Sequence, residues 1–224
     1  MKLEGFKTIN GQIECLTGLK IGGTKESVGM GETDNPIIRH PISRMPYIPG
    51  SSIKGKLRSL LELKYSKTSQ DFGKPCDCGE CFICKLFGCG NQQNPKVEPT
   101  RLIFRDAKLR KDSEEQLEEY LPGTLAETKS EIAMDRKSGK VAKSGPRPVE
   151  RIPEGSFVNF SISIRLFEED TPAIRKEYTE KLADAFDMLE NDYLGGCGTR
   201  GYGKVKITAG DGKPMSEYLK SLSW

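Results

Sequence analysis

The chain has 224 residues, 35% hydrophobic and 30% charged, with 35 Lys and Arg against 32 Asp and Glu. That length suits one large domain, or a core domain with insertions, and is enough to bury a sizeable core. No apolar run approaches a bilayer span and the opening MKLEGFKTIN carries no signal-peptide core, so a membrane segment is excluded and the expected setting is the cytoplasm.

The net charge of +3 is small, but its distribution is uneven. Residues 39–67 carry seven Lys and Arg against one acid, residues 129–151 seven against three, and residues 168–192 nine acids against three bases. Such segregation favours a polyanion on one face and solvent, or a basic neighbour, on another.

Phe6 to Leu16 alternates loosely and ends in Thr17-Gly18, which predicts a first strand. Leu19 to Thr33 holds Gly22, Gly23, Gly29 and Gly31 and reads as a long loop, of the kind that is either functional or disordered. Pro36, Pro41, Pro46 and Pro49 keep the chain extended up to Gly50. Ser51 or Ser52 then caps a helix whose apolar stripe is Ile53, Leu57, Leu60 and Leu61, with Lys54, Lys56 and Arg58 on another face. Residues 66–100 form a Cys-rich insertion, Arg101 to Ala107 a strand, and residues 111–119 an acidic helix. Ser138-Gly139-Lys140 is a turn signal inside residues 128–151, which predicts a projecting hairpin. Phe160, Ile162, Ile164 and Leu166 mark a core strand, and Ile174, Tyr178, Leu182, Ala185, Phe186 and Leu189 an amphipathic helix. After a glycine-rich loop comes a last strand, Lys204 to Ile207. The order strand, helix, strand, strand, helix, strand fits an α+β fold of ferredoxin-like type, in a single domain over 1–224 with insertions at 66–100 and 128–151.

The strongest chemical signal is C-D-C-G-E-C-F-I-C. Cys76, Cys78, Cys81 and Cys84 place four thiols within nine residues, enough to close a tetrahedral zinc shell, with Cys89 as a substitute ligand. An iron–sulfur cluster would use the same thiolates. An all-Cys shell leaves no open position, so such a metal is structural. The second signal is Pro49-Gly50-Ser51-Ser52-Ile53-Lys54-Gly55-Lys56-Leu57-Arg58, a helix start with small residues and three cations, which reads as a phosphate seat or as simple capping. It is not a Walker A loop. The third is G-G-C-G-T-R-G-Y-G-K, where five glycines in nine residues let backbone approach a ligand and Arg200 and Tyr202 offer charge and a stacking face.

His40 is the one histidine, so acid–base chemistry by a histidine pair is ruled out. The remaining option is a carboxylate in the long loop, Glu32 or Asp34.

Together, TGLKIGG, TDNPIIR, IPGSSIKGKLRSLL, RLIFRDA and the terminal LGGCGTRGYGKV resemble the RAMP superfamily of CRISPR systems, and within it the Csm-type backbone subunits of type III-A effector complexes. The resemblance implies a palm of RRM type, a thumb hairpin at about 133–151 and a lid-like insertion that includes the cysteines and carries zinc. It implies a subunit that stacks head to tail with copies of itself along a crRNA, beside other subunits of the complex, and cuts target RNA at regular spacing. Asp34 matches the family's catalytic aspartate, acting through Mg²⁺ or another divalent cation, or as a base. On this reading Ser51, Ser52, Lys54, Lys56, Arg58, Arg147, Arg200 and Tyr202 hold RNA. A non-catalytic filament subunit and a crRNA-processing ribonuclease are the competing readings.

Overall fold

The computed structural model describes residues 1–23, 36–65, 73–91, 93–142 and 145–224. Glu32 and Asp34 lie outside the described residues. The elements run β1 (Leu3–Cys15), β2 (Tyr47–Ile48), α1 (Gly50–Lys64), α2 (Phe82–Phe87), β3 (Leu102–Phe104), β4 (Ala107–Leu109) and α3 (Lys111–Tyr120). They continue with β5 (Glu127–Glu131), β6 (Arg147–Arg151), β7 (Phe157–Phe167), α4 (Pro172–Asn191), β8 (Val205–Ala209) and α5 (Met215–Lys220).

The main sheet has the order β2-β4-β7-β1-β8, with β3 also on β7, and each of its strand pairs is antiparallel. Strands β1 and β7 sit in the middle, paired from Leu3↔Phe167 to Glu14↔Phe157. Each buries alternate residues: Ile9, Ile13 and Cys15 from β1, and Val158, Phe160, Ile162 and Ile164 from β7. Antiparallel sheets with one wet face show this alternation. Helix α1 connects β1 to the β3/β4 edge and α4 connects β7 to β8, the split βαβ arrangement of the ferredoxin-like fold. Ile53, Leu57 and Leu61 of α1 and Leu182, Phe186 and Leu189 of α4 join the core beneath the sheet. Phe160 stacks on Phe186 with centroids 5.9 Å apart, joining β7 to α4. Among the described residues no helix is long and apolar enough to cross a membrane.

Four local expectations change. RLIFRDA is two strands, because Phe104 pairs with Ile162 and Lys108 with Asn159, so four steps along one strand answer three on β7. That one-residue bulge frees Asp106 from the ladder. Neither Ser51 nor Ser52 caps α1: Pro49, at φ −57° and ψ 136°, holds the cap position with no side-chain bond. Asp106 Oδ1 accepts the Gly50 N–H at 2.8 Å instead, capping the helix from across the bulge. The Cys-rich segment contains α2, a short helix whose Ile83, Leu86 and Phe87 belong to the main core. Finally, α5 follows β8 and buries Met215 and Leu219.

Strands β5 and β6 pair only with each other, from Glu127↔Arg151 to Glu131↔Arg147. Beyond them Met134 bridges Val141 and the chain turns at Gly139, which has φ +67°. The Asp135 carboxylate tightens that turn, accepting from the Lys137 N–H at 2.8 Å. This is the projecting hairpin.

The capping role of Asp106 has a measurable consequence. Asp106→Ala leaves the Gly50 amide without its acceptor and should cost about 1–2 kcal/mol in a denaturant titration, while Asp106→Asn, which keeps an oxygen there, should cost less.

Candidate nucleic-acid groove and metal centre

The base of the hairpin and the glycine-rich loop face each other across a groove of about 410 Å³ lined by Lys129, Ser130, Glu131, Ile132, Ala133, Arg147 and Arg200. Lys129, Arg147 and Arg200 are exposed, and among the described residues only Glu131 opposes their charge, by an ion pair with Arg200. Arg200 Nη2 also lies 2.7 Å from Cys197 Sγ. The groove thus joins two of the predicted RNA ligands, Arg147 and Arg200, and adds Lys129, visible beforehand only as part of a basic block.

Tyr202 has no free stacking face. It is 1% exposed, packed under Lys129 and Arg151, whose charges lie 4.8 and 5.0 Å from its ring centroid. Burial pushes its phenol up to about 12. The ring is a floor that positions the two cations by cation–π attraction.

The loop's glycines serve the chain itself. A Cβ on Gly203, at φ +72°, would stand 2.0 Å from the Leu194 carbonyl oxygen, and one on Gly198 would stand 1.9 Å from the Tyr193 ring. The loop is also tied to the turn after β1 by Gly203 N–H to Gly18 O at 3.1 Å and Gly196 N–H to Lys20 O at 2.8 Å.

Helix α1 divides its cations. Ser51 is exposed, Ser52 and Lys54 are partly exposed, and among the described residues Lys54 pairs with no carboxylate. Burial, and then the charge of Arg58, lower its pKa. Lys56 is engaged internally, 2.8 Å from Asp192 and 3.8 Å from the centre of the Tyr193 ring, so it braces α1 against the glycine-rich loop. Arg58 is also turned inward: it bonds Glu62 and the carbonyls of Cys76 and Gly88. The expected phosphate seat has lost one of its amides, since the Gly50 N–H is already held by Asp106.

Asp34 is outside the described residues, but both flanks of its segment are placed. Gly23 N–H bonds Pro36 O at 3.0 Å and Ile38 N–H bonds Ile21 O at 2.9 Å. The buried Glu150 of β6 accepts from the Ile37 N–H at 3.1 Å and from Arg39 Nη1 at 2.7 Å. The hairpin strand β6 therefore holds one flank directly.

The four predicted thiols come together. The Sγ atoms of Cys76, Cys78, Cys81 and Cys84 lie within 4.8 Å of one another, with Cys76–Cys81 at 3.8 Å and Cys78–Cys84 at 3.9 Å. A tetrahedral Zn–S length of about 2.3 Å requires sulfurs roughly 3.8 Å apart, the separation of two of the pairs here, so four thiolates of this cluster suit such an ion. The N–H groups of Cys81 and Cys84 point at Cys78 Sγ and Cys81 Sγ, each at 3.4 Å, and stabilise thiolates. Cys89 is outside the set, its thiol directed to the Asp77 carbonyl at 3.3 Å. Without a cation the thiols differ. Burial pushes Cys76 up to about 11 and Cys84 still higher, while at Cys78 the amides of Cys81 and Glu80 outweigh burial and bring it down to about 7. A bound cation would hold all four as thiolates.

Comparison with known proteins agrees with this architecture. The RAMP superfamily model matches residues 12–206. The CRISPR system Cms endoribonuclease Csm3 of Methanocaldococcus jannaschii is 44% identical over 211 residues, covering 92% of this chain and 80% of that protein. Its counterpart in Methanothermobacter thermautotrophicus is 38% identical over 219 residues, covering 92% and 85%. Among solved structures, a Csm3-Csm4 subcomplex of the type III-A CRISPR-Cas interference complex superposes with a TM-score of 0.58 at 32% identity, covering 99% of this chain and 86% of that one. Methanopyrus kandleri Csm3 shares the fold, with a TM-score of 0.61 at 22% identity over 92% of this chain and 76% of that one. The chain belongs to the RAMP superfamily, in its Csm3 family.

The thiol environments can be read chemically. In metal-stripped protein near pH 7.5, iodoacetamide should label Cys78 first, because its thiolate is already populated. Cys15, fully buried and pushed up to about 12 by burial, should stay unlabelled until the protein unfolds; peptide mass spectrometry would check both.

Proposed function

We propose that this chain is the crRNA-binding backbone subunit of a type III-A CRISPR interference complex and cleaves complementary target RNA, with Asp34 as the catalytic carboxylate. The observation that carries the reading is the basic groove of Lys129, Arg147 and Arg200 at the base of the hairpin. That hairpin also anchors the segment next to Asp34, through Glu150.

Phosphates lie along the groove and continue to Lys54, Ser51 and Ser52 on α1. Contacts of this kind set the path of an RNA strand without reading its bases; pairing between guide and target supplies the sequence. Just below its charged turn at 135–140 the hairpin exposes Ile132, Met134 and Val141, apolar side chains suited to packing against bases. A target nucleotide displaced there can bring its 2′-OH in line with the adjacent phosphorus. Asp34 accepts the hydroxyl proton as the 2′-oxygen attacks; the P–O5′ bond breaks as the new bond forms, leaving a 2′,3′-cyclic phosphate, and the departing 5′-oxygen takes a proton from water. In the alternative role, the carboxylate would hold a divalent cation that supplies charge stabilisation at the phosphate. The cysteine centre, filled by zinc, is structural. The working partners are crRNA, target RNA, head-to-tail copies of this chain and other subunits of the complex, in the cytoplasm.

In a reconstituted guide complex, Asp34→Ala should abolish target cleavage and leave target binding intact, whereas Glu32→Ala should leave both intact. Undiminished cutting by the Asp34→Ala complex would leave the subunit with a purely architectural role. Phosphate contacts have their own signature. Arg147→Ala and Lys129→Ala should each weaken binding to unrelated RNA sequences alike and reduce the steepness of the log–log salt dependence by roughly 0.7 per contact removed. Filter-binding titrations across a salt series would measure it, and a loss confined to one sequence would contradict the backbone role.

A further inference from the structure

We propose that Arg58 and Glu62 are the positioning residues of the cysteine metal centre, and that α1 and the Cys-rich segment consequently act as one unit. The inference rests on reading the four thiolates as a metal site.

In the sequence, Arg58 stands in a row of cations and looks like a phosphate ligand. Its guanidinium is directed elsewhere. Nη2 donates to the Cys76 carbonyl at 2.6 Å, Nη1 to the Gly88 carbonyl at 2.9 Å, and Nε to Glu62 Oε1 at 2.8 Å. Cys76 is the first thiol of the cluster, and Gly88 closes α2, the helix that carries Cys84 and is capped by Cys81. One side chain therefore clasps both ends of the ligand-bearing segment.

Glu62 completes the grip. The same Oε1 accepts the Cys76 N–H at 2.9 Å, so the peptide groups on both sides of the Cys76 Cα are held by α1. Fixing both fixes the direction of the Cα–Cβ bond and hence where Cys76 Sγ can stand. The Arg58 and Glu62 side chains are only 14% and 8% exposed. Removing either partner leaves a buried charge without its counterion, and the loss falls on the segment that holds the thiols. For Arg58 to take a phosphate it would have to release these bonds. Lys54, one turn earlier on the same helix, has no such engagement among the described residues. The helix thus holds the metal segment through Arg58 and offers charge to RNA through Lys54.

The test uses the full chain loaded with Zn²⁺, or with Co²⁺ for its thiolate absorption bands. Arg58→Met and Glu62→Ala should each release zinc to a colorimetric chelator about tenfold faster than wild type, the scale of lost outer contacts at metal sites, and should alter the cobalt spectrum. Arg58→Lys should fall between wild type and Arg58→Met. Lys54→Ala should weaken RNA binding with zinc release unchanged, and metal-loaded Arg58→Met should bind RNA as wild type does. Wild-type release rates in Arg58→Met would overturn the inference. So would RNA binding by Arg58→Met as weak as that of Lys54→Ala with its metal in place, which would return Arg58 to phosphate. If Arg58→Met does not fold, Glu62→Ala decides by the same release assay. Wild-type protein that takes up neither zinc nor cobalt would remove the metal reading itself, and the inference with it.

Discussion

The antiparallel pairing of β1 with β7 governs the rest of the molecule. Both strands alternate through their central residues, so a slip of one residue would send Ile9, Ile13, Phe160 and Ile162 to the wet face. The same register brings the exit of β1 beside the entry to β7, with Glu14 opposite Phe157. The hairpin and the glycine-rich loop gather at that end. Leu19 and Ile152 exchange both backbone bonds at 2.8 Å, which seats the hairpin base against the turn after β1, and Gly203 bonds back to Gly18. Hairpin, turn and glycine-rich loop meet because two long strands share one register.

Against that frame, the cations divide by what surrounds them. Arg101 is 2% exposed and bonds both oxygens of Asp170, at 3.0 and 2.9 Å, so it locks the start of β3 to the turn after β7. Arg39, Lys56 and Arg58 likewise hold carboxylates or carbonyls of their own chain. A guanidinium suits such work, since its planar fork can bond several carbonyl and carboxylate oxygens at once. Lys129 and Arg147 instead stand exposed along the groove, and Arg200 joins them, paired with Glu131. The basic character of the chain thus has two uses, an internal scaffold and an open groove, and only the second is available to a polyanion.

The glycine-rich loop illustrates the same division. Its composition suggests a flexible surface for a ligand, yet the crowding at Gly198 and Gly203 shows that side chains are excluded there by Tyr193 and Leu194. The loop's backbone is closely packed and hydrogen-bonded to its own chain, and this packing places Arg200 beside the hairpin.

Much of this was legible in the sequence. Periodicity of two and of 3.6 residues located β1, β7, α1 and α4, because burial on one face is a local pattern that the chain must carry wherever it folds. The spacing of Cys76, Cys78, Cys81 and Cys84 announced the four-thiol cluster for the same reason: a short loop closes its own set of potential ligands. The i, i+4 spacing of Arg58 and Glu62 was a readable hint of an internal pair. Partners distant in sequence were not readable. The capping of Gly50 by Asp106, the burial of Tyr202 beneath Lys129 and Arg151, and the turning of Arg58 toward Cys76 and Gly88 depend on how separate elements are stacked. Sequence by itself determined which residues are apolar, basic or thiol-bearing and with what period. Only the tertiary structure decided which cations face inward, because a charge's use depends on the oxygens that folding brings within about 3 Å of it.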